Sequence, residues 1–156
     1  MSSLRPILLV EDSPNDVELI VTALNEARLV NEIAVTNDGE QALNYLLRQG
    51  PYGKRSSPDP AVILLDLKMP KVDGREVLRR IRADALLKLV PVVILTSSRE
   101  EQDLFETYNL GANAYLVKPV DFEAFISAVG KAGVFWALLN EPPPLMRPAS
   151  DTAPQK

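Results

Sequence analysis

The chain has no cysteine and no histidine among its 156 residues. Without cysteine it has no disulfide, no thiol nucleophile and no thiolate ligand for zinc or an iron–sulfur cluster. Without histidine it has no imidazole to act as a general base, to bind a metal or to complete a Ser-His-Asp triad. Any chemistry at its own side chains therefore depends on carboxylates, lysine, hydroxyl groups and a metal ion that prefers oxygen ligands.

Long apolar runs are also absent. Runs such as Ala61–Leu65 and Val90–Leu95 are typical, whereas a membrane-spanning helix needs about 18 apolar residues. The apolar run near the amino terminus is too short for the core of a signal peptide. Lysine plus arginine number 17 against 21 aspartates plus glutamates, a net charge of −4, which argues against general binding to nucleic acid or acidic membranes. We therefore expect a cytoplasmic protein with one main domain.

Short apolar runs predict the strands of a sheet. Most are continuously apolar, which is typical of parallel strands that are covered on both faces. The five runs are Ile7–Val10, Ile33–Val35, Ala61–Leu65, Val92–Leu95 and Ala114–Val117. Amphipathic helical segments follow the runs, the first with an i, i+3, i+4, i+7 stripe over residues 17–24. Five successive β-α units predict an α/β fold, a doubly wound parallel sheet with helices on both faces.

Capping residues and prolines mark the limits of these elements. Ser13 followed by Pro14 predicts the start of the first helix. Ser98 with Glu101 predicts a capping box at the head of the fourth helix. Beyond residue 140 the sequence is rich in proline and has few residues to bury. We therefore predict one domain over residues 1–140 and a Pro-rich flexible tail over residues 141–156.

Polar residues follow four of the five predicted strands. Glu11 and Asp12 end the first strand, Asp66 the third, Thr96 the fourth and Lys118 the fifth. Because ligands of open α/β sheets bind beyond the carboxyl ends of the strands, these side chains should converge. Three neighbouring carboxylates need a cation, and oxygen ligands suit Mg²⁺. An ammonium and a hydroxyl beside the metal suit a phosphoryl group, so the pattern predicts phosphoryl transfer to Asp66.

With their flanking motifs, these residues resemble the receiver domains of two-component response regulators. The motifs are Glu11-Asp12, LLDLKMPKVDG around Asp66, VILTSS around Thr96 and AYLVKP around Lys118. The resemblance implies a flavodoxin-like sheet with strand order 2-1-3-4-5 and five helices. The long segment 49–60 and the apolar end of the last helix are similar to single-domain regulators paired with phytochrome-type sensors.

The resemblance also implies how the site works. Asp66 would accept a phosphoryl group from a phosphohistidine of a sensor histidine kinase, here of the bacteriophytochrome type. Asp12 and Asp66 would hold Mg²⁺ directly, Glu11 would act mainly through water, and the backbone carbonyl of Lys68 would be a further ligand. The chain would not be an enzyme beyond its own phosphorylation and dephosphorylation.

Further residues are implied to bind the phosphoryl group and to respond to it. Thr96 and Lys118 would bind the phosphoryl oxygens, and a cis peptide between Lys118 and Pro119 would aim the lysine. Tyr115 falls on the switch aromatic of the family. Movement of Thr96 would draw Tyr115 inward and reshape the face made by the fourth helix, fifth strand and fifth helix. The side chains of Lys68 and Ser98 occupy positions that influence phosphoryl lifetime in receivers.

Other functions compatible with the same fold fit less well. A phosphohydrolase with an aspartate nucleophile needs a second aspartate two residues on, where this chain has Lys68. A flavin-binding module needs a polar phosphate loop where Glu11 and Asp12 would repel the phosphate. Within the receiver interpretation, a phosphate sink and a pseudo-receiver that only binds partners remain open.

The carboxyl-terminal region suggests how a signal would leave the chain. No DNA-binding or enzymatic domain fits after residue 140, so we expect output through an unknown downstream protein or a second copy. The last helix ends in an apolar group that could pack on such a copy, and we expect a homodimer. Its members are Phe135, Trp136, Leu138 and Leu139.

Overall fold

Five parallel strands form the centre of the protein in a computed structural model, which describes residues 4–118 and 121–144. They are β1 (Ile7–Val10), β2 (Ile33–Thr36), β3 (Val62–Leu65), β4 (Val92–Thr96) and β5 (Ala114–Val117). Their order is β2-β1-β3-β4-β5, and each neighbouring pair is parallel. Every residue of the three inner strands is buried, which explains their unbroken apolar sequences. The predicted fold and strand order are confirmed.

Five α-helices connect and cover the strands. They are α1 (Pro14–Glu26), α2 (Gly39–Leu47), α3 (Gly74–Ala83), α4 (Glu101–Asn109) and α5 (Phe122–Val134). A π-helix at Phe135–Leu139 extends α5, and a 3₁₀ turn at Gly50–Tyr52 follows α2. Apolar residues of α2 and α3 pack on one face of the sheet, and those of α1 and α5 pack on the other. No helix in the described part of the chain is long and apolar enough to cross a membrane.

Polar side chains at the helix starts follow the predicted pattern at α1 but not at α4. The Ser13 hydroxyl accepts from the Asp16 amide at 3.3 Å, with Pro14 in the first turn. The predicted capping box of Ser98 and Glu101 is wrong, because α4 begins one residue after Glu100. The Ser98 hydroxyl instead accepts from the Glu100 amide at 3.3 Å and donates to the Asp103 carboxylate at 2.5 Å. A buried carboxylate is the stronger partner for that hydroxyl.

Beyond its 3₁₀ turn, the long segment between α2 and β3 is held in place by two arginine side chains. The Arg48 guanidinium donates to the carbonyls of Arg55 and Ser57, at 2.5 and 2.8 Å. The Arg55 guanidinium lies 4.0 Å from the ring centroid of Tyr45, and both arginines pair with the buried Asp59. These arginine contacts lie near the amino ends of the strands, at the opposite edge of the sheet from the polar residues that follow the strands.

The carboxyl-terminal prediction falls only partly on described residues. Trp136 packs against the cluster between the sheet, α1 and α5, so part of the predicted dimer group belongs to the core. Phe135, Leu138 and Leu139 are 48%, 53% and 71% exposed. Residues 141–144 follow without regular secondary structure. The rest of the predicted tail, over residues 145–156, lies outside the described residues.

Candidate functional site

The strand register brings the predicted polar residues to one edge of the sheet. Val10 of β1 is paired with Leu65 of β3, so Glu11 and Asp66 leave the sheet side by side. The Asp66 amide donates to the Val10 carbonyl at 3.1 Å, which fixes that alignment. On the other side of β3, the Lys118 amide donates to the Thr96 carbonyl at 2.8 Å. The parallel sheet thus places all four strand ends on one surface.

Three carboxylates form a cluster at this edge. One oxygen each of Glu11, Asp12 and Asp66 lies within 4.8 Å of the others. Glu11 and Asp66 are buried, whereas Asp12 is exposed to solvent. Burial, with a contribution from the charge of Asp66, raises the pKa of Glu11 to about 7, although Lys118 opposes that rise. An all-oxygen set with one solvent-facing member fits a hard divalent cation that keeps part of its water shell.

Lys118 lies among these carboxylates. Its ammonium donates to Glu11 Oε1 at 2.6 Å and to Asp16 Oδ2 at 2.8 Å, and lies 3.7 Å from Asp66 Oδ2. Burial alone would lower the pKa of Lys118, but its bonds to Asp16 and Glu11 outweigh burial and raise it. The lysine therefore remains charged and compensates the negative cluster. Pro119, and with it the predicted cis peptide, lies outside the described residues.

Asp16 is a member of the site that sequence reasoning missed. It lies in the first turn of α1, a helix that starts directly beyond the carboxyl end of β1. An acidic residue one helical turn after Asp12 was the available signal, because the first turn of such a helix faces the same edge of the sheet. Its pairing with Lys118 joins residues 102 positions apart, and sequence spacing does not reveal such a contact.

Thr96, Ser98 and Tyr115 form a connected group beside the cluster. Thr96 is 1% exposed, and its hydroxyl accepts from the Ser98 amide at 3.4 Å. The Tyr115 hydroxyl donates to the Ser98 carbonyl at 3.0 Å. The predicted switch pair, Thr96 and Tyr115, thus shares one neighbour.

The loop after β3 positions the candidate acceptor Asp66. The Gly74 amide, at the start of α3, donates to the Leu67 carbonyl at 2.8 Å and closes the loop. Lys68 lies on the loop with its side chain exposed. The loop therefore presents Asp66, 7% exposed, at the same edge as the backbone of Lys68.

Because the pKa of Glu11 is raised, we expect binding of a divalent cation at this cluster to depend on pH. A divalent cation favours the ionised carboxylate, so below about pH 7 binding must release a proton. We expect the apparent Mg²⁺ affinity to fall by up to about tenfold per pH unit below that value and to level off above it. Calorimetric titration with Mg²⁺ between about pH 8 and about pH 6 measures this. Glu11→Gln should flatten the dependence, and an unchanged slope in that variant would assign the proton to another group.

Comparison with known proteins identifies the family. The family model described as the response regulator receiver domain matches residues 7–130. Response regulator Rcp1 of Synechocystis is 42% identical over 85% of this chain and 88% of its own length. The Mn²⁺-bound structure of response regulator Rcp1 superposes with a TM-score of 0.83, at 40% identity over 89% of this chain and 99% of that one.

Two further solved structures are similar. The phosphorylated cyanobacterial phytochrome response regulator RcpA has a TM-score of 0.84 and 38% identity, over 90% of this chain and 99% of that one. The bacteriophytochrome response regulator AtBRR is 58% identical over 90% of this chain and 100% of that one, with a TM-score of 0.73. The predicted likeness to phytochrome-associated regulators is confirmed. With its family model, strand order and acidic strand ends in agreement, the chain belongs to the response regulator receiver domain family.

Proposed function

We propose that this chain is a phosphorylated signalling switch in which Asp66 accepts a phosphoryl group from the phosphohistidine of a sensor histidine kinase. The observation that carries the proposal is the ammonium of Lys118 lying 3.7 Å from Asp66 Oδ2, beside a cluster of three carboxylates at one sheet edge. Because the chain has no histidine, the phosphohistidine belongs to the partner.

The proposed transfer requires little covalent chemistry from the protein. An oxygen of Asp66 attacks phosphorus, the phosphorus–nitrogen bond breaks, and its electron pair remains on the imidazole, which takes up a proton from solvent as it leaves. Lys118 compensates the charge of the phosphoryl oxygens, and the Thr96 hydroxyl donates to one of them.

Mg²⁺ is the cofactor that we propose for this site. Asp12, Asp66 and the backbone carbonyl of Lys68 would hold it, and when bound it would neutralise charge on the phosphoryl oxygens. Both carboxylate oxygens of Glu11 already accept hydrogen bonds, from the Ser13 amide at 3.2 Å and from Lys118 at 2.6 Å. Those bonds support an indirect role for Glu11, through water. The Mn²⁺-bound relative supports a divalent ion.

Phosphorylation would be transmitted through Thr96 and Tyr115 to the face made by α4, β5 and α5. The side chains of Phe105 and Tyr108 on α4, 71% and 50% exposed, offer apolar area there for a downstream partner.

We propose that the receiver unit covers residues 1–140 and that residues 141–156 form its tail. The relatives named as phytochrome regulators support a phytochrome-type kinase. We also propose a cytoplasmic location.

A second copy of the chain is the other partner that we propose. Phe135, Leu138 and Leu139 lie together on the π-helix with about half or more of each side chain exposed. Apolar groups in such a position are stabilised when a symmetry-related copy covers them. Trp136, which packs on the core, would support this surface from below.

Intact-mass spectrometry after incubation with acetyl phosphate tests the acceptor function. In the presence of Mg²⁺ we expect one phosphoryl adduct per chain, and with excess EDTA we expect none, because charge repulsion at the cluster is then uncompensated. A short-lived adduct is distinguished from no adduct by titration with beryllofluoride, which mimics the phosphoryl group without being hydrolysed. Failure of both measurements would favour a pseudo-receiver that acts only by binding.

A further inference from the structure

Asp103 is a buried carboxylate that the proposed phosphoryl transfer does not use. It lies in the first turn of α4 and is 4% exposed. Its carboxylate accepts from the Ser98 hydroxyl at 2.5 Å and pairs with the guanidinium of Arg75 on α3. Removing one partner from a buried charge is costly because the other charge is left uncompensated. The three side chains are therefore held together.

Ser98 links this group to the candidate switch. Its amide donates to Thr96 Oγ1 at 3.4 Å, and its carbonyl accepts from the Tyr115 hydroxyl at 3.0 Å. Ser98 thus contacts Thr96 and Tyr115, the two residues of the proposed switch. It also contacts the Asp103 carboxylate. A continuous set of hydrogen bonds runs from Thr96 through Ser98 and Asp103 to Arg75.

The other end of this set lies beside the loop of the acceptor. Arg75 directly follows Gly74, whose amide bonds to the Leu67 carbonyl at 2.8 Å. Arg75 also lies 3.4 Å from Glu106, so one guanidinium joins the start of α3 to two turns of α4. The loop after β3 and the loop after β4 are thereby coupled through charge as well as through the sheet.

We infer that Arg75 and Asp103 are positioning residues that hold Ser98, and through it Thr96 and Tyr115, in the arrangement of the unphosphorylated protein. The inference rests on the proposed function. In the proposed switch Thr96 moves toward a phosphoryl group on Asp66, and the loop at Ser98, whose amide bonds to Thr96 Oγ1 at 3.4 Å, would move with it. The Asp103 carboxylate opposes that movement. Contacts that stabilise only the resting arrangement reduce the affinity for the phosphoryl group by the same factor.

The test compares beryllofluoride affinity, with Mg²⁺ present, in the wild-type protein and in Asp103→Asn and Arg75→Gln. Asparagine can still accept from Ser98 but carries no charge for Arg75. We expect both variants to bind beryllofluoride about three- to tenfold more tightly than the wild type. The double variant should bind beryllofluoride no more tightly than the tighter-binding single variant, because both changes break the same interaction.

Arg79→Gln is the matched control. It breaks an ion pair of the same kind on the same helix, between Arg79 and Glu76. That pair is solvent-exposed, and among the described residues it forms no hydrogen bond or ion pair with Ser98 or α4. We expect wild-type affinity for beryllofluoride. Hydrogen exchange of residues 98–109 without ligand is the second measurement, and it should be faster in Asp103→Asn and Arg75→Gln but not in Arg79→Gln.

Two results would overturn the inference. Unchanged or weaker beryllofluoride binding in both variants, together with a lower melting temperature, would show that the ion pair only supports the fold. Unchanged hydrogen exchange over residues 98–109 would show that the pair does not hold this loop. If the wild type and the Arg79→Gln control bind no beryllofluoride, the proposed function itself fails, which is a different pattern from a failure confined to the two variants.

Discussion

Asp66→Asn is expected to abolish the phosphoryl adduct formed with acetyl phosphate and Mg²⁺. An amide has no anionic oxygen to attack phosphorus. The fold should persist, since Asp66 lies beyond the end of β3 and outside both apolar clusters. Without metal, the melting temperature of the Asp66→Asn variant should equal or exceed that of the wild type. The substitution removes the repulsion between the Asp66 charge and ionised Glu11. Intact-mass spectrometry and thermal unfolding in EDTA measure the two effects.

Asp84→Asn provides a matched control for this substitution. Asp84 follows α3 at the opposite edge of the sheet, and its carboxylate accepts from the amides of Leu86 and Leu87. An asparagine oxygen can accept the same bonds, so we expect the wild-type amount of adduct. An adduct that persists in Asp66→Asn would place the acceptor elsewhere and would remove the basis of the proposed function.

Gly74→Ala is expected to damage both the fold and the site. A Cβ at this position would lie 2.3 Å from the Asp66 carbonyl oxygen and 2.7 Å from Leu67 Cα. Both neighbours are backbone atoms, so the loop that carries Asp66 must shift to make room. We expect the free energy of unfolding to fall by about 1–3 kcal/mol, as for other overpacked sites. Mg²⁺ affinity should fall as well, because the Asp66 carboxylate and the Lys68 carbonyl leave their positions.

Gly130→Ala is the matched control, because the structure has room for a Cβ at this position. In the interior of α5, a Cβ at this position would meet the Ala23 carbonyl oxygen at 3.5 Å and Ala27 Cβ at 3.8 Å. Those are ordinary contacts, and alanine is favoured over glycine in a helix by up to about 1 kcal/mol. Urea unfolding should therefore show a loss for Gly74→Ala and no loss for Gly130→Ala. Equal effects in both variants would contradict the steric explanation.

The strands and their polar ends could be predicted because each depends on neighbours in sequence. The run that ends at Leu65 is continuously apolar since both faces of β3 are covered, and Asp66 is the first residue beyond the strand. Once the strands are known to be parallel, convergence of Asp12, Asp66 and Lys118 follows from topology. Family resemblance then supplied the strand order, which periodicity alone does not fix.

The contacts between side chains could not be predicted in the same way. Asp103 bonds to Ser98, five residues away, and to Arg75, 28 residues away, and neither spacing has a helical signature. Ser98 matched a capping pattern, but the hydroxyl donates to the buried carboxylate of Asp103. Trp136 and Phe135 are adjacent in sequence, yet Trp136 packs on the core while Phe135 is exposed, because successive side chains of a helix point in different directions.

The position of β5 at the edge of the sheet bears on how the protein folds. A parallel pair forms only after the connecting chain has closed a loop, and β5 pairs only with β4. All four of its residues are half-buried, whereas β1, β3 and β4 are buried throughout. During synthesis, β1 and β3 can pair before β5 has emerged from the ribosome. The strand that carries Tyr115 can therefore join the sheet after β1 and β3 have paired, and its residues are less buried than those of the inner strands.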